Sequence, residues 1–195
     1  MTDTRFQRAL ARFEAVNAQD PTIIDGGGEP VPRELLQTGR LVAWIEELDS
    51  NPSEPLRLAA RCQHLGRFLV PRSSYPKDRT GYLKWRSDLG KFHADRAAEI
   101  LGELGYDDAT IASVRRIVRK QGITTDPDVQ TMEDALCLSF LEHELAEFCA
   151  KHPDEKVVDI LQKTWRKMSE KARALALTLP LSGRTKVLVE RALTQ

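Results

Sequence analysis

The chain has 195 residues, 41% of them hydrophobic, and this length predicts a single domain over residues 1–195 with a substantial core. Its 29 basic and 29 acidic side chains cancel, so the composition gives no electrostatic reason to expect a nucleic acid or an anionic membrane as partner. The three cysteines lack CxxC spacing and the N-terminus lacks the apolar region of a signal peptide, so we expect a cytoplasmic protein with reduced thiols and no membrane span.

Hydrophobic periodicity predicts helices along most of the chain. In the first half they span residues 5–16, residues 34–48, and a segment from a cap at Asn51 or Ser53 to about Phe68. Thr2, Asp3 and Thr4 are candidate caps of the first helix, and residues 17–33 and 70–79 are predicted loops. The later helices are predicted over residues 80–101, about 107–120, 130–150, 156–168, 172–177 and 186–193. No segment shows the alternation of a strand, so the fold class is predicted to be all-α.

Charge is distributed unevenly along the chain. Residues 61–91 carry eight Lys or Arg against two Asp, whereas residues 126–159 carry ten acidic side chains against two basic ones. Two solvated helix faces of opposite sign would explain this distribution. Because residues 61–95 also concentrate aromatic and turn-forming side chains, we place the candidate site there.

Three predicted helices carry an ionisable side chain on or beside their hydrophobic faces: His64, His93 and Asp134. Burying such a group costs several kcal/mol unless it is paired, hydrogen-bonded or bound to a metal. Imidazole nitrogen and carboxylate oxygen suit divalent transition metals, which helical bundles bind between facing helices. The three residues therefore predict a divalent transition metal as cofactor. Alternatively, each histidine is a satisfied core residue, and Asp134 or its neighbour Glu133 caps a helix.

Basic and aromatic side chains surround the two histidines along the chain. Those predicted to bind a substrate are Arg61, Arg72, Tyr75, Arg79, Tyr82, Lys84 and Arg86. Guanidinium groups bind phosphate or carboxylate bidentately, and aromatic rings can stack on a base. These residue types predict an anionic small-molecule ligand. Alternatively, Arg79 and Arg86 pair with Asp78, Asp88 or the acidic region 126–159 and hold the loop against the body.

Several strings resemble motifs of a known superfamily. Residues 58–68, LAARCQHLGRF, resemble a helix that ends in His-Asp followed by Ile-Gly-Lys/Arg, and Arg40-Leu41 falls where an Arg-Val pair is common. Together with His93 and Asp134, these strings resemble a degenerate HD domain, the all-helical metal-dependent phosphohydrolases. The resemblance implies an HD-like helical bundle. However, Gln63-His64 replaces the His-Asp pair and Gln37 replaces the first ligand histidine, so the ligand set is incomplete and hydrolytic activity does not carry over.

A closer resemblance covers nearly the whole chain. Its strings are NAQDP at 17–21, RCQH at 61–64, PRSSYP at 71–76, RTGYLKWR at 79–86, FHA at 92–94, ED at 133–134 and FLE at 140–142. They are similar to an uncharacterised family catalogued as domain of unknown function 4202. This resemblance implies a fold and a candidate site but no reaction.

Three functions follow from these observations. The first is a metal-dependent hydrolase of a phosphorylated or nucleotide-like small molecule, in which His64, His93 and Asp134 hold the metal. In that hypothesis the metal lowers the pKa of a bound water, Arg72, Arg79 and Arg86 hold the anionic group, and Glu133 is the candidate catalytic base. The second is a non-catalytic regulatory protein that binds an anion or a nucleotide. The third and weaker one is nucleic-acid binding through the basic, aromatic loop.

Overall fold

The computed structural model describes residues 4–194, which form ten α-helices and one two-stranded hairpin. The prediction of an all-α fold is confirmed. In chain order the elements are α1 (Arg5–Asn17), β1 (Ile23–Asp25), β2 (Pro30–Pro32), α2 (Arg33–Leu48), α3 (Glu54–Cys62), α4 (Arg79–Glu103), α5 (Asp108–Val118), α6 (Pro127–Ser139), α7 (Leu145–Lys151), α8 (Asp154–Lys167), α9 (Glu170–Ala176) and α10 (Gly183–Thr194). Within residues 4–194, no helix is both long enough and apolar enough to cross a membrane.

Polar side chains begin several of these helices. The Thr4 hydroxyl accepts a hydrogen bond from the Gln7 amide at 3.2 Å, and the Gln7 side chain accepts one from the Thr4 amide at 2.9 Å. The side chains of Ser53 and Asp107 also accept hydrogen bonds from backbone amides in the first turns of α3 and α5. Thr2 and Asp3, the other candidate caps of α1, lie outside the described residues. Each such cap stabilises its helix by about 1 kcal/mol, because it satisfies an amide that has no partner within the helix.

Helix α3 lies at the centre of the hydrophobic core. Five of its nine residues are buried, namely Leu56, Leu58, Ala59, Ala60 and Cys62. It packs against α1, α2, α4, α5 and α6. A helix this short is stabilised by the burial of its faces rather than by intrinsic propensity. The core therefore holds the end of α3 in place, and that end leads directly into the residues of the site.

The chain leaves α3 earlier than its sequence predicts. The helix predicted to reach Phe68 ends at Cys62, and Gly66 adopts a left-handed conformation with φ of +66°. The Gly66 amide donates a hydrogen bond to the side-chain oxygen of Asn17, which is 1% exposed, at 3.2 Å. A 3₁₀ turn, Arg67–Leu69, follows. This buried bond explains why the helical pattern stops short, since it draws the backbone towards α1.

The segment predicted as a loop over residues 17–33 contains the hairpin of β1 and β2. The strands are antiparallel, with Ile24 paired to Val31, and the Asp25 carboxylate accepts hydrogen bonds from the amides of Gly27 and Gly28 in the turn. Each strand has three residues, which is too short for an alternating pattern to be recognised in the sequence.

The helix predicted over residues 130–150 is interrupted. A π-helical turn, Phe140–Glu144, separates α6 from α7. Such a turn accommodates one extra residue and rotates the following side chains around the helix axis, and π-turns often occur at functional sites. Phe140 and Glu144, the two ends of this turn, both line the cleft described next.

Candidate anion-binding cleft

A cleft of about 930 Å³ is lined by α4, α6 and α8, and the turn after α3 and the end of α5 complete its surface. This volume lies near the top of the range of roughly 300–1,000 Å³ that is typical of small-molecule sites. The charged side chains and histidines that line it are His64, Arg67, Arg86, His93, Arg119, Lys120, Glu133, Glu144, Lys163, Arg166 and Lys167. Seven of these are Lys or Arg and two are Glu. The cleft is therefore strongly positive in a chain whose total charge is zero.

Two histidines lie together in the cleft. His93 is 3% exposed, and its Nδ1 atom lies 2.9 Å from the backbone oxygen of Leu65. Because a carbonyl oxygen can only accept, Nδ1 carries the proton and Nε2 keeps its lone pair. The ring of His64, which is half-buried, lies 6.2 Å from the His93 ring between centroids. Both rings thus belong to the same polar centre, as their occurrence on hydrophobic faces suggested.

Both imidazoles are neutral at physiological pH. Burial lowers the pKa of His93 to about 4, although the hydrogen bond to Leu65 opposes this change. Burial, followed by the positive charge of Arg67, holds the pKa of His64 well below its usual range. The positive charge of the cleft therefore comes from its lysines and arginines.

We expect the neutral state of His93 to make stability depend on pH. Its pKa is about 4 in the folded protein and 6.5 in an unfolded chain, so on acidification the unfolded chain binds the proton first. The free energy of unfolding therefore falls as the pH falls through 6.5 towards 4. His93 alone accounts for a loss of about 2 kcal/mol between pH 7 and pH 5. Urea unfolding at several pH values measures the loss.

His93→Asn is the matched control, because its amide can still donate to the Leu65 carbonyl but does not titrate in this range. The free energy of unfolding of the variant should fall less than that of the wild type between pH 7 and pH 5. His64 contributes in the same direction in both proteins. If the free energy of unfolding falls equally with pH in the two proteins, His93 is not held neutral in the folded state.

A buried glutamate pairs with two lysines in the cleft. Glu133 on α6 is 3% exposed, and its two carboxylate oxygens lie 3.1 Å from Lys120 Nζ and 3.3 Å from Lys167 Nζ. Burial raises the pKa of Glu133, but the two ammonium groups outweigh this effect and hold its pKa below the usual range. Glu133 is therefore ionised and joins the end of α5 to the end of α8.

Lys120 occupies a backbone position that usually belongs to glycine. Its φ is +54°, and no other non-glycine residue among residues 4–194 has a positive φ. The Gln121 amide donates to the Arg116 carbonyl and the Lys120 amide to the Ile117 carbonyl, which is the Schellman ending of a helix. A side chain in this conformation costs about 1 kcal/mol relative to glycine. Lys120 thus places a cation in the cleft at the expense of local strain.

Four arginines line the cleft without forming an ion pair. Arg67, Arg86, Arg119 and Arg166 form no ion pair within 4.0 Å with any carboxylate in residues 4–194. The guanidinium carbon of Arg67 lies 5.2 Å from the centroid of the Trp85 ring, which orients this group by a cation–π contact. Burial raises the pKa of Glu34 and Glu144, and the positive charge of Arg67 opposes this change. The guanidinium groups available to an anion from solution are therefore those of Arg86, Arg119 and Arg166.

Aromatic rings from two sides also line the cleft. Tyr82 and Trp85 on α4 lie with their centroids 6.0 Å apart, and Phe140 and Phe148, at the π-turn and on α7, lie 5.8 Å apart. The Trp85 indole is fixed because its Nε1 donates a hydrogen bond to the Val70 carbonyl at 2.9 Å. The cleft thus offers hydrophobic surface beside its cations, which suits a ligand with an organic part.

Of the residues predicted to bind a substrate, Tyr82 and Arg86 line the cleft. Arg72 instead donates to the Tyr75 carbonyl at 3.0 Å, within its own loop. Tyr75 and Lys84 both donate to the Asp88 carboxylate, at 3.1 and 2.7 Å. Arg61 and Arg79 lie outside the lining. The predicted substrate-binding residues thus have different roles. Arg72, Tyr75 and Lys84 hold the loop over residues 70–79 and the start of α4 together, while Tyr82 and Arg86 line the cleft.

The residues predicted to bind a metal are only partly together. His64 and His93 share the cleft, but Asp134 lies outside its lining, where one of its carboxylate oxygens accepts hydrogen bonds from Gln130 Nε2 at 3.0 Å and from the Ser169 amide at 2.8 Å. No group of three or more His, Cys, Asp or Glu side chains in residues 4–194 is arranged to hold a metal ion. The three side chains therefore do not form a common ligand set.

Most cations of the cleft were not among the predicted site residues. These are Arg67, Arg119, Lys120, Lys163, Arg166 and Lys167. Lys163, Arg166 and Lys167 follow one another at helical spacing on α8, a pattern that equally describes a solvated face. The predicted helix over about 107–120 includes Lys120, so the sequence gives no sign of the left-handed conformation that this residue adopts.

Residues 7–189 match the model of a protein family described as Domain of unknown function (DUF4202). This match confirms the closer of the two resemblances, whereas no comparison shows the resemblance to HD domains. No curated protein and no solved structure matches the chain. The chemistry of the cleft is therefore inferred from its own side chains.

Proposed function

We propose that this chain, which belongs to the DUF4202 family, binds a phosphorylated small molecule in the cleft between α4, α6 and α8. The observation that carries the proposal is the group of three cleft arginines, Arg86, Arg119 and Arg166, which form no ion pair with a carboxylate in residues 4–194. Bidentate hydrogen bonds from such groups are the usual means of holding phosphate.

The charge distribution of the whole chain supports an anionic ligand. Because basic and acidic side chains are equal in number overall, seven cations against two carboxylates in one cleft represent a local concentration of positive charge. A concave surface lined by one sign of charge focuses the electrostatic field and raises the local concentration of the opposite ion. The rings of Tyr82 and Trp85 provide a surface for an organic group such as a base.

The ionised state of Glu133 supports ligand binding better than it supports hydrolysis. This residue was the predicted catalytic base, but its pKa is held low and both of its oxygens lie beside lysine ammonium groups. A carboxylate in this state is a weak acceptor of a proton from water. Metal-dependent hydrolysis therefore remains the alternative to a binding or regulatory role.

We expect Arg86→Ala to weaken the binding of adenosine triphosphate roughly 10- to 100-fold, because a charge-assisted hydrogen bond contributes roughly 1.5–3 kcal/mol. Isothermal titration calorimetry at fixed ionic strength measures the change. Arg79→Ala is the matched control, since Arg79 lies two helical turns earlier on α4 and outside the cleft lining. Arg79→Ala should bind the nucleotide as the wild type does.

Two results would separate the alternatives. Equal losses of affinity in the two variants would contradict binding in this cleft and indicate a general effect of surface charge. Release of inorganic phosphate by the wild type with added zinc, manganese or iron, but not by Glu133→Gln, would favour the hydrolase. Phosphate release is measured in the samples used for calorimetry.

A further inference from the structure

The cations of the cleft lie on two opposing walls. Arg86 projects from α4, and Arg67 joins it there through the contact with Trp85. Arg166 belongs to α8, as does Lys163, which pairs with Asp159 on the same helix. Helix α4 packs mainly against α1, α3 and α5, whereas α8 packs mainly against α6, α7 and α10, so the two walls belong to different groups of packed helices.

The floor between the walls already holds an anion. The Glu133 carboxylate lies there between Lys120 and Lys167, at 3.1 and 3.3 Å. A phosphate placed at the centre would meet this fixed negative charge, and the two lysines are already neutralised by it in part. The positions with unneutralised cations are therefore at the sides, beside Arg86 on one wall and Arg166 on the other.

We infer that the ligand carries at least two linked phosphate groups, one held by the α4 wall and one by the α8 wall. This inference rests on the proposed binding of a phosphorylated small molecule and specifies its class. A single phosphate is far smaller than a cleft of about 930 Å³ and would leave one wall without a counter-ion. Two groups on one chain bind both walls, and the second contact becomes intramolecular, which raises affinity by roughly 10²–10⁴.

The test titrates the whole protein with inorganic phosphate, pyrophosphate, tripolyphosphate and longer linear polyphosphates at one ionic strength. Affinity should rise at least 100-fold over that of phosphate and then reach a plateau once the chain spans both walls. One chain should bind per protein at the plateau. Arg86→Ala and Arg166→Ala should each remove most of this gain, because each leaves only one wall for the ligand. Arg79→Ala should keep it.

The outcomes distinguish this inference from the function on which it rests. If phosphate binds as tightly as the longer chains, or if one wall variant has no effect, the protein binds anions but the two-wall ligand is wrong. If affinity keeps rising without a plateau and a single-stranded RNA binds more tightly than any polyphosphate, the partner is a nucleic acid, which also overturns the inference. If no phosphate compound binds, the proposed function itself fails.

Discussion

Replacing Lys120 with glycine should weaken the binding of tripolyphosphate by roughly 10- to 100-fold and should destabilise the protein by about 1 kcal/mol less than replacing it with alanine does. The affinity falls for two reasons: the cleft loses a cation, and Glu133 loses one of its two ammonium partners and then repels the incoming anion. Both substitutions cost stability because the buried Glu133 loses one ammonium partner, but glycine relieves the strain of a positive φ, and Glu133 keeps its contact with Lys167. Calorimetric titration and urea unfolding measure the two quantities.

Lys120→Ala is the matched control for this result. Alanine removes the same charge but keeps a side chain in the left-handed conformation, so its affinity should equal that of Lys120→Gly. Its free energy of unfolding should be about 1 kcal/mol lower than that of the glycine variant. Normal affinity in both variants would show that the cation at this position does not serve the ligand. Equal stability in both would show that the backbone here is relaxed.

Local patterns were sufficient to predict most of the helices. The hydrophobic period placed α1, α2, α4 and α5 within a few residues of their ends, because each of these helices buries one continuous face. The early end of α3 could not be predicted in this way, since it depends on a hydrogen bond between Gly66 and Asn17 from another helix. The π-turn at Phe140 likewise leaves the hydrophobic period of the flanking segments nearly intact.

The candidate site was predicted in part, and the missing part has a clear physical cause. His64, His93 and Arg86 could be identified because an ionisable group on or near a hydrophobic face, or an arginine among aromatic residues, is unusual in the local sequence. Arg119 and Arg166 lie on exposed helix positions, where basic residues are common, and only the approach of α5 and α8 to α4 gives them a shared role. Tertiary proximity of this kind is not contained in a local pattern.

The loop that precedes α4 depends on a glycine that the hydrophobic pattern does not distinguish. A Cβ atom at Gly81 would lie 2.2 Å from the Pro76 carbonyl oxygen and 2.9 Å from two further Pro76 atoms. Gly81 has an ordinary helical conformation, so the requirement for glycine here comes from the close approach of the loop and not from φ. The same loop supplies the Val70 carbonyl that fixes Trp85 at the cleft.

We therefore expect Gly81→Ala to destabilise the protein by about 3 kcal/mol, because backbone atoms cannot move aside as a flexible side chain can. Gly39→Ala, the control, lies within α2 with no atom within 4 Å of its added Cβ and should stabilise the protein by about 0.5–1 kcal/mol. Urea unfolding measures both. Since the displaced loop would release Trp85, Gly81→Ala should also weaken binding of tripolyphosphate at temperatures where it remains folded. If the stability of Gly81→Ala is unchanged, the loop does not pack against α4 at Gly81. The hydrogen bond from Trp85 to the loop, and the cation–π contact of Arg67 with Trp85, would then not fix the α4 wall of the cleft.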